Sequence, residues 1–274
     1  MRKIEMEKAE IIRKYGKWTA YDIKLKDGIY TKDEREANSA LKKIVGMIQD
    51  ITQCNFKELR ILDLACLEGQ YAIEFAMQGA EVVGIEGREA NIQKAIFAKN
   101  IHNLNNLEFY QDDVRNLSKE KYGEFDIVLC SGILYHLDSL DVFPFLEKVY
   151  EVCKKFIIID THIAHNPTTS VIYKNFTYTG KTVIEHDPIS STEERLKANW
   201  SSLDNASSFW ITKSSLYNFL TRIGFSSINE SRSMNPSVYT ENDRITIVAF
   251  KKRPIEIKSS PETNQYIEPD WLEE

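Results

Sequence analysis

The stretch RILDLACLEGQYAIEFA at residues 60–76 predicts a buried strand, a turn and a helix. Its first part is apolar on both strand faces, and Ala72, Phe75 and Ala76 recur at helical spacing. A second apolar strand pattern, EVVGIEG, follows at residues 81–87. A strand, a helix and a strand in this order predict a parallel βαβ unit with a right-handed crossover.

The same alternation extends along most of the chain. Further strand patterns lie at residues 107–111, 125–132, 155–163, 225–232 and 244–252. The helix expected over 89–102 should turn four side chains inward, namely Ile92, Ala95, Ile96 and the stem of Lys99. Another helix, over 212–223, should end at Gly224. These elements predict an α/β fold with a doubly wound, mostly parallel sheet.

Three segments fall outside this pattern. Helical spacing at 1–15 and 33–52 predicts that residues 1–57 form an N-terminal helical extension or lid. Within the main domain, 58–253, the polar stretch 164–211 is too long for a structureless loop. We therefore expect an insertion after strand five that covers the substrate side. Residues 254–274 hold much charge and predict a flexible tail.

Composition narrows the class of protein. The chain of 274 residues has a net charge of −6 with scattered Lys and Arg, which makes a nucleic-acid partner unlikely. No apolar run reaches the ~18 residues that span a bilayer, and the first residues lack a secretory pattern, so we expect a cytoplasmic protein without membrane contact. Four cysteines without C-x-x-C spacing indicate reduced thiols. Nothing in the composition indicates the oligomeric state.

Acidic side chains follow the first three strands. Asp63 ends the first strand pattern, Glu86 ends the second, and Asp112-Asp113-Val114 follows the third. Open α/β sheets bind ligands at the carboxyl ends of their strands. A carboxylate after the second strand can accept hydrogen bonds from ribose hydroxyls. One after the third strand can accept from an adenine amine, while an apolar neighbour packs on the ring.

Four motifs together resemble the class I S-adenosylmethionine (SAM)-dependent methyltransferases. They are LDLACLEGQYAIEFA (62–76), VVGIEG (82–87), FYQDDV (109–114) and FDIVLCSGILYHL (125–137). The run GILYHL resembles the branch of tRNA wobble-uridine carboxymethyltransferases and uncharacterised bacterial small-molecule methyltransferases. The resemblance implies a seven-stranded sheet and SAM as cofactor, and it favours Asp113 over Asp112. The residues it assigns to the cofactor are Asp63, Leu64, Ala65, Gly69, Glu86, Gly87, Asp113, Val114, Cys130 and Ser131.

The first motif departs from the family pattern D-x-G-x-G-x-G. Ala65 and Leu67 replace its first two glycines, and Leu67 loses conformational freedom at a point where the family turns through glycine. Glu68 either attracts the positive sulfonium of SAM or is a solvated charge on the loop.

Candidate catalytic residues follow strands four and five. His136 is expected to act as a base toward an acceptor hydroxyl, because a free imidazole titrates near ~6.5; the alternative is a structural histidine bonded to a backbone carbonyl. Tyr135 either orients substrate or packs under the sheet. His162 is a second base or a substrate contact. Phe209 and Trp210 either form walls of the substrate pocket or belong to the core.

No metal is expected, because His162, His165, His186 and Asp187 lack a recognised ligand spacing.

The Asp/Asn-Pro-Pro-Tyr motif of amide and adenine-amine methyltransferases is replaced by Ser131-Gly132-Ile133-Leu134. We therefore predict methyl transfer to a small molecule, on oxygen. The alternatives are a tRNA-modifying enzyme, a nicotinamide oxidoreductase and a non-catalytic binding protein. The oxidoreductase is disfavoured because this chain lacks the G-x-G-x-x-G motif that binds the pyrophosphate.

Overall fold

The computed structural model describes residues 2–20, 22–32, 39–231 and 243–251. The tail predicted at 254–274 lies outside these ranges, as do residues 33–38 of the second predicted helix.

Within these described ranges, ten strands form two sheets. They are β1 (Arg60–Leu64), β2 (Glu81–Glu86), β3 (Leu107–Gln111), β4 (Phe125–Ser131), β5 (Cys153–His162), β6 (Thr169–Tyr173), β7 (Phe176–Ile184), β8 (Ser207–Ile211), β9 (Phe225–Ser231) and β10 (Arg244–Lys251). The central sheet has seven strands in the order β3-β2-β1-β4-β5-β10-β9. Strands β1 to β5 pair in parallel, while β10 is antiparallel to both of its neighbours. The predicted doubly wound, seven-stranded, mostly parallel sheet is confirmed.

Eight α-helices in the described part of the chain connect or flank these strands. They are α1 (Arg2–Tyr15), α2 (Ser39–Thr52), α3 (Gln70–Met77), α4 (Glu89–His102), α5 (Lys119–Tyr122), α6 (Val142–Val152), α7 (Thr192–Lys197) and α8 (Lys213–Ile223). Thr212 caps α8 by accepting a hydrogen bond from the Ser215 N–H, and Gly224 ends it in a left-handed conformation. In the part of the chain that the structure describes, no helix is long and apolar enough to cross a bilayer.

Side chains of successive residues in the central strands are buried on opposite faces of the sheet. Leu62 and Leu64 belong to one hydrophobic cluster, whereas Ile61 belongs to a second cluster. Helices therefore cover both faces, which is why the strand patterns are apolar throughout. The strand order reverses between β1 and β4, so a ligand crevice is expected at their carboxyl ends.

The buried face predicted for α4 is partly wrong. Ile96 and Lys99 are only half-buried, whereas Lys94, Phe97 and Ala98 are buried. The reason is that α1 packs against α4 from the side opposite the sheet. A hydrophobic pattern that assumes one buried helix face does not predict the buried residues of a helix with two buried faces.

Residues between β5 and α8 form the second sheet, with the order β6-β7-β8 and antiparallel pairing. This sheet docks on the turn after β4, where the Phe209 N–H donates to the Leu137 carbonyl at 2.8 Å. Tyr178 and Phe209 pack around Phe143 of α6. The second sheet therefore lies beside the carboxyl end of β4.

Candidate active site

A cavity lies at the carboxyl ends of β1, β2 and β4, where the strand order reverses. Nine residues predicted for the site line it: Asp63, Ala65, Glu86, Gly87, Asp113, Val114, Ser131, Tyr135 and His136. Residues 199–205, between α7 and β8, complete the lining from the opposite side. The sheet topology brings the first group together, because the carboxyl ends of neighbouring parallel strands share one edge.

Three residues predicted to bind the cofactor do not line the cavity. Leu64 and Cys130 are fully buried in the hydrophobic core beneath it. Gly69 precedes α3 with a φ of +82°, and a Cβ there would meet the Phe109 ring at 2.7 Å. The assignment of these three to the cofactor stays a prediction, and Gly69 serves a left-handed turn and close packing.

The predicted substrate walls are also corrected. Phe209 is 2% exposed and belongs to the hydrophobic core, so it is no pocket wall. Trp210 stacks on His162 with ring centroids 4.6 Å apart, and neither residue lines the cavity. The His162 Nδ1 lies 2.6 Å from an Asp243 carboxylate oxygen. His162 instead touches the site through Tyr135, whose ring lies edge-on to it at 4.6 Å.

Asp63 and Glu86 form the buried acidic floor of the cavity. Both are 2% exposed. Burial raises the pKa of Asp63 to about 8, with a smaller contribution from the nearby Glu86 charge, against the hydrogen bond from the Ala72 N–H. Burial also raises the pKa of Glu86, although it accepts bonds from the N–H groups of Leu67 at 3.0 Å and Arg88 at 2.8 Å. Two buried carboxyl groups so close together favour a ligand that donates hydrogen bonds.

The loop after β1 turns through two residues in the left-handed region. Ala65 has a φ of +53° and Leu67 a φ of +49°. Ala65 and Leu67 therefore adopt the left-handed backbone conformation that glycine would adopt without strain. Because each carries a side chain, this conformation costs roughly 1–2 kcal/mol per residue. The strained turn directs the Leu67 N–H to the Glu86 carboxylate.

Glu68 is not a solvated charge, one of the two alternatives expected from sequence; it lines the cavity, and its attraction to the sulfonium stays a prediction. It is 2% exposed and pairs with Lys94 of α4, which is also 2% exposed, at 3.0 Å. Its carboxylate also accepts from the N–H groups of Thr19 at 2.8 Å and Ala20 at 3.0 Å. The ion pair therefore fixes the segment after α1 against the loop of the first motif, and Ala20 reaches the cavity.

Asp113 is held by a neighbouring arginine. Its carboxylate caps the turn by accepting from the Arg115 N–H at 2.8 Å, and it pairs with the Arg115 guanidinium. The same guanidinium contacts Asp204 at 2.7 Å, beyond α7. Asp112 instead bonds Lys121 and Tyr122 and does not line the cavity. Only Asp113 of this pair is placed to meet a ligand.

Arg88 is a site residue that sequence reasoning missed. It follows β2, is 8% exposed, and donates to four backbone carbonyls, those of Leu196, Ala198, Ser201 and Ser202. Leu203 then lies against Gly87, where an added Cβ would approach it to 2.8 Å. Arg88 therefore fastens residues 196–203 over the end of β2. No local pattern marks such a residue, because its partners lie more than a hundred positions away.

His136 pairs with a carboxylate that sequence reasoning also missed. Its Nδ1 lies 3.0 and 3.1 Å from the two oxygens of Glu185, a residue after β7 whose side chain is 6% exposed. The alternative of a histidine bonded to a backbone carbonyl is therefore not what the structure shows. Tyr135 packs on the His136 ring at 4.3 Å, and burial raises the pKa of its phenol.

Within the described ranges, no three His, Cys, Asp or Glu side chains are grouped to hold a metal ion. His186, one of the residues weighed as a ligand, bonds the Ser202 carbonyl at 2.8 Å.

Comparisons with known proteins converge on one description. Residues 55–223 match a family model described as a methyltransferase domain. Similar curated sequences include the ubiquinone biosynthesis O-methyltransferases of Acinetobacter baumannii (strain AYE), 32% identical, and Acinetobacter baylyi (strain ATCC 33305 / BD413 / ADP1), 33% identical, each over 104 residues. Both matches cover 38% of this chain and 41% of the relative, so the chain spans less than half the length of these curated relatives.

Similar folds occur among solved structures. The N-terminal domain of EvdMO1 with SAH bound has a TM-score of 0.69 and 24% identity, over 92% of this chain and 97% of that one. Magnesium protoporphyrin IX methyltransferase from Synechocystis PCC 6803 with bound SAH has a TM-score of 0.52 and 14% identity, over 80% and 90% of the two chains. At these identities the likeness establishes the fold alone.

Proposed function

Because this chain belongs to the methyltransferase-domain family that its residues 55–223 match, we propose that it binds SAM in the cavity and methylates an oxygen of a small molecule. The family match confirms the resemblance to class I methyltransferases that the four motifs predicted. The resemblance of GILYHL to the tRNA-modifying branch stays a prediction, as do the cytoplasmic location and the exclusion of nucleic acid.

The observation that carries the proposal is the acidic floor of the cavity. Glu86 accepts from the N–H groups of Leu67 and Arg88 and, at 3.4 Å, from the Asn91 amide, so about one of its roughly four lone-pair directions stays open. It can therefore accept a hydrogen bond from a ribose hydroxyl of SAM. Val114 provides an apolar surface for the adenine, and Asp113 lies beside it. The donors and acceptors present thus fit a nucleoside that carries an amine and a diol.

SAM supplies a methyl group on a positive sulfur. The residues of the chain must exclude water, hold the acceptor in line and take its proton. Residues 199–205 and Ala20 cover the cavity from two sides, and the Asn199 amide donates to the Thr19 hydroxyl at 2.8 Å. This cover limits the access of water to the reacting atoms.

His136 is the base in this proposal, because it lines the cavity next to Ser131 and Gly132 at the end of β4. The acceptor oxygen gives its proton to the imidazole and bonds the methyl carbon, while the electron pair of the carbon–sulfur bond stays on sulfur. The charge lost by the sulfonium reappears on the imidazolium. His136→Ala should therefore lower turnover ~10²–10⁴-fold and leave SAM affinity nearly unchanged. Near-normal turnover of His136→Asn at neutral pH would exclude this role.

Calorimetric titration with SAM tests the cofactor site. Glu86→Ala should weaken binding about ten- to a hundredfold, because it removes the ribose hydrogen bond, a loss of about 1.5–3 kcal/mol. Glu81→Ala is the matched control, since Glu81 begins the same strand at its far end and faces solvent. Equal affinities of wild type and Glu86→Ala would disprove the site.

The acceptor class is tested by incubating the protein with methyl-labelled SAM and either a metabolite extract or total tRNA. Label in a small molecule supports the proposal, and mass spectrometry then identifies the methylated oxygen. Label in tRNA would instead establish the tRNA-modifying alternative. SAM binding without any transfer would indicate the non-catalytic alternative.

A further inference from the structure

We propose that Glu185 is a positioning residue for His136: it holds Nδ1–H and leaves Nε2 of the imidazole for the acceptor proton. The inference rests on the proposed function, in which this proton is the one that the acceptor hydroxyl loses on methyl transfer. Nothing in the sequence pairs the two residues, which follow strands of different sheets.

The contact is close and sheltered from water. Both Glu185 oxygens lie within 3.1 Å of the His136 Nδ1, and the side chains of the histidine and the glutamate are 14% and 6% exposed. The Ser202 N–H donates to the same carboxylate at 2.9 Å, which fixes its rotation. A hydrogen bond of this geometry leaves the imidazole only one free nitrogen.

The charge state of Glu185 determines which nitrogen carries the proton. Burial pushes the pKa of Glu185 upward, but the hydrogen bond and charge interaction with His136, together with hydrogen bonds from Ser208 and the Ser202 N–H, outweigh it and leave the pKa below the ordinary value. The group is therefore a carboxylate near neutral pH and can only accept. Nδ1 must then be the donor, so the lone pair of a neutral His136 ring is on Nε2.

The backbone around His136 is fastened as well. The Asn205 amide donates to the His136 carbonyl at 3.0 Å, and the Phe209 N–H donates to the Leu137 carbonyl at 2.8 Å. Both partners belong to the second sheet or the loop before it. These contacts fix the backbone from which the imidazole extends, and the hydrogen bond to Glu185 orients the ring itself.

Other charged or titratable groups surround the pair on several elements. Arg88 interacts with Glu185 from the end of β2, and Tyr135 covers the imidazole ring. Behind Tyr135 lie His162 and Asp160 of β5 and Arg244 of β10. Glu185 is the carboxylate that bonds the ring directly, so it stabilises the imidazolium formed when the acceptor proton arrives.

The decisive measurement is nitrogen-15 NMR of histidine-labelled protein without acceptor, with His136 assigned from the spectrum of His136→Asn. Wild type should show a neutral ring protonated on Nδ1, and Glu185→Gln should lose this preference. In the same variant, the initial rate of label transfer from SAM into the metabolite extract should fall ~10²-fold or more, while the Kd for SAM changes less than about twofold. Glu147→Gln is the matched control, because it removes a carboxylate paired with Lys174 near the second sheet but away from the cavity.

Two results would overturn the proposal: a wild-type ring protonated on Nε2, or a Glu185→Gln protein with unchanged tautomer and transfer rate. A loss of melting temperature in Glu185→Gln that exceeds that of Glu147→Gln, with an unchanged tautomer, would also overturn it and assign a structural role. Failure of the proposed function would appear separately, as absent SAM binding by wild type. The tautomer measurement needs neither SAM nor acceptor.

Discussion

Replacing Lys94 by Met tests the contribution of the buried ion pair beneath the first-motif loop. The Lys94 Nζ lies 3.0 Å from Glu68 and 2.7 Å from the Lys17 carbonyl. Removing only the cation leaves a buried carboxylate, a loss of typically 3–5 kcal/mol. The N–H groups of Thr19 and Ala20 still donate to that carboxylate, so we expect a value near the lower limit, about 3 kcal/mol.

Urea unfolding of four proteins measures this effect: wild type, Lys94→Met, Glu68→Gln and the double variant. The double variant removes both charges, so it should be clearly more stable than the sum of the single effects implies. Lys197→Met is the control, because it breaks an exposed ion pair with Glu193 and should not change stability measurably. Additive single effects, or a Lys94→Met effect no larger than the control, would refute this account of the pair.

Three further changes concern Asp63, Ala65 and Gly180. The pKa of Asp63 is raised, so its contribution to stability is fully present below the unfolded value of ~3.9 and is lost as pH rises toward about 8. Between those two pH values the free energy of unfolding of wild type should fall by up to ~1.4 kcal/mol per pH unit. Asp63→Asn should remove this pH dependence, as measured by urea unfolding. Ala65→Gly should stabilise the fold by about 1 kcal/mol in urea, because it relieves a left-handed φ of +53°. Gly180→Ala should lower stability by ~1–3 kcal/mol in thermal unfolding, since its Cβ would meet the Phe209 ring at 2.6 Å.

Each of these predictions has a contradicting result, and the last two also have a matched control. An Asp63→Asn protein whose stability changes with pH as steeply as wild type would contradict the first. Ala98→Gly, in the interior of α4, should destabilise, so the same sign for both alanine changes would contradict the second. Gly46→Ala, in α2, has open space around its Cβ. A Gly180→Ala protein as stable as Gly46→Ala would contradict the third prediction, because the second sheet would then accommodate the added methyl group without loss of stability.

The strands, helices and acidic floor were predictable because their signals are local. Apolar runs of the length of β1 and β2 allow few other structures, and parallel pairing then brings Asp63 and Glu86 to one edge. The cap and stop of α8 were predictable for the same reason, since Thr212 and Gly224 act on their own helix.

The remaining features depend on contacts between distant segments. Lys94 in a helical pattern and Glu68 in a loop have the sequence context of solvent-exposed charges, yet α1 and the segment after it cover them. Arg88 and Glu185 acquire their partners only when the second sheet folds back on the central one. The sequence left Phe209 as either a pocket wall or a core residue, and only the docking of β8 on the turn after β4 places it in the core. Side-chain type alone does not determine these outcomes.

The second sheet leaves and rejoins the central fold at a single place, because the Ala164 N–H donates to the Ile211 carbonyl at 3.0 Å. A segment whose ends already touch imposes little strain on its host when its length changes. For a flexible connection, each doubling of length costs only about 0.6 kcal/mol of closure entropy. Natural variation can therefore lengthen, shorten or exchange the segment between β7 and β8 while the host sheet keeps its register. The restraint on such exchange is chemical, since any replacement must again present a carboxylate to His136 and carbonyls to Arg88.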